Sequence, residues 1–106
     1  MSVYVITYYV KEDHHDCGCD GHDHEHHHHA DDRLIMKIET LGAWAHFMPT
    51  SFLVKTSMTA DEILDELEPM VGQKDLIFVS KVDASTTASL TSQVIDWIER
   101  KQQESN

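Results

Sequence analysis

The residue types able to do chemistry are concentrated in one stretch of this 106-residue chain. His14, His15, His22, His24, His26, His27, His28 and His29 supply eight imidazoles, and Cys17 and Cys19 supply two thiols. Nitrogen and sulfur donors at this density suit zinc, nickel or copper, whereas magnesium and calcium favour oxygen ligands. His22, His24 and His26 alternate, so an extended backbone directs them to one side. In a helix, His22 with His26 and His24 with His28 stand four apart on one face. Either conformation chelates, which predicts adaptable or multiple sites rather than one rigid tetrahedral site. Gly18 and Gly21 keep the backbone permissive, and the interspersed acids draw cations in. A disulfide within Cys17-Gly18-Cys19 would close a strained ring, so the pair reads as two thiolates in a reducing compartment. Unperturbed imidazoles titrate at about pH 6.5, so acidification is expected to bring the segment from strongly negative towards neutral and to eject its metal.

The charge balance bounds the partners. The formal net charge is -11 with histidine neutral. From Lys11 to Asp32 eight acids oppose one lysine, a balance of -7, which leaves -4 for the rest of the chain. No basic surplus remains to neutralise phosphates, which argues against nucleic acid as a partner. No apolar run approaches the roughly 20 residues that span a bilayer, so a membrane partner is not expected. Met1-Ser2-Val3-Tyr4 lacks the basic and apolar regions of a signal peptide, and the expected compartment is the cytoplasm.

The elements that must position the donors follow from periodicity. A chain of this length supports one core, so residues 1–106 are read as a single domain with an inserted His/Cys/Asp-rich loop at residues 11–30. Within it, residues 13–29 are expected to be solvent-exposed. Residues 3–10 are β-branched and aromatic almost throughout, the composition of a central strand. From Asp31 or Asp32 the spacing turns helical, with Leu34, Ile35, Ile38 and Leu41 on one stripe and Gly42 as its stop. Residues 43–48 and 51–56 predict two strands joined at Pro49-Thr50. Thr59 and Glu62 form a capping box that opens a helix bearing Ile63, Leu64, Leu67 and Met70, closed by Gly72. Leu76 to Val79 predict a buried strand, and Leu90, Val94, Trp97 and Ile98 mark a last amphipathic helix over about residues 90–102. The order predicts an α+β fold: a ferredoxin-like βαββαβ unit with an antiparallel sheet and an added C-terminal helix. The second sheet face then needs cover from the final helix or a second subunit, which points to a homodimer.

Outside the loop the chemistry is sparse. His46, in a strand, is a lesser ligand candidate. Trp44 and Phe47 lack flanking basic residues, so they read as core or dimer contacts rather than a base-stacking platform. Ser51 has no histidine–acid partnership, and there is no Gly-rich phosphate loop. No catalytic constellation emerges, and the enzyme reading is the weaker one.

Four stretches, residues 3–8, 41–46, 51–56 and 74–79, resemble the CRISPR-associated endoribonuclease family that acts in spacer acquisition, and its SinR-like relatives. The likeness covers most of residues 3–82 outside the loop and implies a ferredoxin-like dimer. It also implies an alternative function, a divalent-metal-dependent nuclease or nucleic-acid-binding protein. That family carries an aspartate directly after the tyrosine ending strand one, where it would hold the metal. Here the position is Tyr9, whose phenol is neutral at about pH 7 and a poor ligand for a hard cation. Asp13 stands four residues further on. The main expectation is therefore transition-metal storage, buffering or sensing through the loop, with a non-catalytic protein-interaction domain as a third reading.

Overall fold

The computed structural model describes residues 1–11 and 31–104. The ten proposed ligands, and the inserted segment's own conformation, lie outside them. The elements are β1 (Ser2–Tyr9), α1 (Asp32–Ile38), β2 (Ala43–Met48), β3 (Ser51–Thr56), α2 (Ala60–Leu67), β4 (Leu76–Val82) and α3 (Ser92–Gln103). Short 3-10 turns follow α2 and β4. The fold is α+β in the βαββαβ order with one helix added, and both strands of the hairpin fall where their composition places them. The sheet order is β2-β3-β1-β4, and every neighbouring pair is antiparallel.

This order explains the composition of the strands. β1 and β3 are the two inner strands, and every residue of β3 is buried. An inner strand covered on both faces favours apolar side chains at odd and even positions alike, hence the nearly continuous apolar run of β1. On one face Tyr4, Ile6, Tyr8, Phe52 and Val54 pack with Leu34 and Ile38 of α1 and Ile63 and Leu67 of α2. On the other, Val3 and Leu53 meet Ile98 of α3. The last helix thus supplies cover that its amphipathic spacing promised, with Trp97 partly buried against the sheet. Its C-terminal end is tied down where Lys55, itself buried, reaches the Glu104 carboxylate at 3.2 Å. The hydrogen bonds from Lys55 and then Lys101 hold the Glu104 carboxyl below the usual carboxylate range.

The helix ends depart from expectation. α2 opens on the capping box, with Thr59 Oγ1 accepting from Glu62 N at 3.1 Å and Glu62 Oε1 accepting from Thr59 N at 2.9 Å. It stops at Leu67, ahead of Pro69, so Gly72 is not its terminator. α1 likewise ends at Ile38, and two tight turns, Thr40 N to Lys37 O and Leu41 N to Ile38 O, complete its exit. Gly42 has a different duty: a Cβ there would collide with the backbone carbonyl of Lys55 on β3. Among the described residues no helix is long and apolar enough to cross a membrane.

Candidate functional site

The inserted segment leaves the sheet at the end of β1 and returns at the start of α1, and both flanks are tied to the folded domain. On the outgoing side Lys11 N donates to Asp75 Oδ1 at 2.9 Å. The same carboxylate accepts from Gly72 N through Oδ2 at 2.7 Å, so Asp75 joins the β1 exit to the turn preceding β4. On the returning side the Tyr8 hydroxyl donates to Asp31 Oδ2 at 3.0 Å. Asp31 occupies the N-cap position of α1 without a side-chain capping bond, its carboxylate being engaged by Tyr8 instead. Tyr8 is an inward-facing residue of β1, and a buried phenol needs a partner for its O–H. The partner it takes is the residue at which the chain returns from the segment. The two flanks are thereby held at one end of the sheet.

Burial, together with the hydrogen bond to Asp31 and that carboxylate's charge, pushes the Tyr8 hydroxyl well above its ordinary value. A group with a raised folded-state pKa stabilises fully below the unfolded value, about 10 for tyrosine, and that contribution is lost as pH rises further. Wild-type stability is therefore expected to fall above about pH 10 more steeply than that of Tyr8→Phe. At neutral pH the same substitution should cost about 1 kcal/mol through the lost hydrogen bond. Urea denaturation across this range checks both; parallel alkaline profiles would remove Tyr8 as the source.

The remaining candidates are spread over other surfaces. Tyr9, at the position where the resembled family has its aspartate, pairs with Leu76 and is 57% exposed. Strand alternation turns it to the face opposite Tyr8. His46 is exposed on edge strand β2, stacked on Phe52 with ring centroids 4.1 Å apart, and its Nε2 lies 3.2 Å from the Pro49 carbonyl. Trp44 is 42% exposed and leans on the same Phe52 ring, while Phe47 is partly buried on the α3 side. Ser51 Oγ donates to Thr7 Oγ1 at 2.8 Å, a bond between adjacent strands. Among the described residues no three His, Cys, Asp or Glu side chains gather as a metal-binding group. Tyr8, Asp31 and Asp75 are the anchors that the sequence reading passed over. Tyr8 carried a usable signal, a phenol at an inward position of a central strand, but nothing in its neighbourhood along the chain names Asp31.

The fold is a four-stranded antiparallel sheet with helices on both faces, and its distinguishing feature is a donor-rich insertion tied at both flanks. No family model, curated protein or solved structure matches the chain.

Proposed function

We propose that this protein binds zinc, nickel or copper through the segment between β1 and α1, as a cytoplasmic homodimer that stores, buffers or senses the metal. The observation that carries this reading is the donor set itself: ten imidazoles and thiols between residues 14 and 29, from His14 to His29, in a chain with only one other histidine. Soft and borderline donors of this kind select late transition metals over hard cations. The anchors at Asp31 and Asp75 support the reading, because ligands on a span fixed at both ends start closer together than on a free tail, which lowers the entropy lost on chelation. In the sensing version, metal changes the strain on these anchors and hence on β1, α1 and the turn before β4.

The test is calorimetric titration of the untagged chain with zinc, nickel and copper(I), against a form lacking residues 14–29. Tight binding in the full chain and none in the deleted form is the expected result. Affinity should fall as pH is lowered from about 7.5 to about 5.5, since an imidazole must be deprotonated to ligate. Equal binding by both forms would overturn the proposal.

A further inference from the structure

Helix α3 leaves part of its sheet face open, and the open part is apolar. Thr7 pairs with Phe78 and Tyr9 with Leu76, and alternation along β1 puts all four on the α3 side of the sheet. Phe78 is 60% exposed and Leu76 65%, so the strand expected to be buried is instead an edge strand with one face partly open. Across the sheet Met48 is 51% exposed and lines a cleft of about 430 Å³ between the sheet and the chain entering α3. The cleft wall includes Val5, Phe47, Leu53, Val82, Val94 and Ile98. At its rim stands Leu90, whose side chain is fully exposed on the connection between β4 and α3.

From this arrangement we infer that the cleft receives Leu90 of a second copy of this chain, while that copy's cleft receives this Leu90. The inference rests on the homodimer reading above and names its contact. A knob and a hole on one face form the self-complementary surface that a two-fold interface requires. Charge chooses the same occupant. The chain carries -11, so two copies repel wherever their acidic surfaces meet. None of the described residues lining the cleft bears a formal charge, and its polar members, Thr87, Ser89 and Thr91, carry hydroxyls that both donate and accept. A cleft with an uncharged described lining is where two like-charged copies meet at low cost. Tyr9, Met48, Leu76, Phe78 and Leu90 together offer roughly 700 Å² of exposed surface, taking about 200 Å² for each when fully open, against about 800 Å² per partner in a standard interface.

Asp83 holds the start of the connection that leads to Leu90. Its carboxylate accepts from Ser85 N at 2.9 Å and Ser85 Oγ at 2.6 Å, and Gln102 Nε2 of α3 donates to it at 3.3 Å. Gln102 Oε1 in turn accepts from Ala84 N at 2.6 Å. The connection is thus braced at its start, which reduces the length of chain that docking must order.

The test is sedimentation equilibrium of the full chain in excess chelator, so that no metal bridges two copies. The wild type is expected to show a concentration-dependent dimer, and Leu90→Asp to raise its dissociation constant about a hundredfold or more, since each dimer buries two such leucines. Leu90 is fully exposed, so the variant should keep the wild-type circular dichroism spectrum. In a dimer mixed from labelled and unlabelled wild-type chains, intermolecular NOEs are expected from Leu90 methyls to Val94 or Ile98. A wild-type dimer that Leu90→Asp leaves intact, or one without these NOEs, overturns the contact and leaves the homodimer standing. A wild type that stays monomeric overturns both, and neither result bears on metal binding by the loop.

Discussion

Phe52→Ala is expected to destabilise the protein by about 3–5 kcal/mol, a large part of the 5–15 kcal/mol that holds a typical domain folded. Phe52 is fully buried on inner strand β3, opposite Ile6 of β1 in the sheet register. Its ring lies in the cluster shared with α1 and α2, so truncation opens a cavity beneath both helices. It also supports the edge strand, with His46 stacked on it at an interplanar angle of 7° and Trp44 tilted against it at 57°. The loss should therefore combine a core cavity with loosening of β2. Leu64→Ala, on the exposed side of α2, is the control and should cost far less. Chemical denaturation monitored by tryptophan fluorescence reads both; a Phe52→Ala cost below about 1.5 kcal/mol would mean that β2 and α1 close over the gap.

Gly42→Ala should follow closely, at about 3 kcal/mol, although it adds only one methyl group. The strain is steric. The new Cβ would meet the carbonyl oxygen and carbon of Lys55, which are backbone atoms of an inner strand and cannot turn away as a side chain would. Ala43 pairs with Lys55 in the ladder, so relief requires the start of β2 to move off β3. Lys55 in turn holds Glu104 beyond the end of α3, which carries the disturbance to the opposite face. The expected signature is a lowered denaturation midpoint with faster amide exchange at residues 43–46. Wild-type stability in Gly42→Ala would show that β2 adjusts freely.

These two positions illustrate different degrees of legibility. Phe52 lies in a run, Ser51 to Thr56, whose strand character is plain from composition, and its burial follows from an inner place in the sheet. Gly42 is legible as punctuation after a helical stripe, but its duty is not. The helix stops four residues earlier, and the glycine is required by a strand that approaches it thirteen residues later in the chain. The capping box at Thr59 and Glu62 was readable because both partners lie within one turn. The C-terminal helix was readable from the spacing of Val94, Trp97 and Ile98, although Leu90, expected on the same stripe, stands exposed ahead of it. The open remainder of the sheet face was not readable, because strand pairing decides which side Phe78 and Leu76 face.

The candidate site divides in the same way. Its proposed ligand chemistry rests on residue types: eight histidines and two cysteines in one short segment supply nitrogen and sulfur groups of the kind that suit late transition metals. The sequence by itself therefore determined the donor set, the element order and the local caps, all of which depend on residues within a few positions of one another. The tertiary structure alone decided the strand order, the close approach at Gly42, and the anchoring of the segment through Tyr8 to Asp31 and Lys11 to Asp75, across 23 and 64 residues. It also decided that Leu90 stands beside a cleft whose described lining is uncharged. The physical reason is that such contacts form only when the sheet closes, because their geometry is set by non-local pairing and by burial of the shared core, to which no local preference has access.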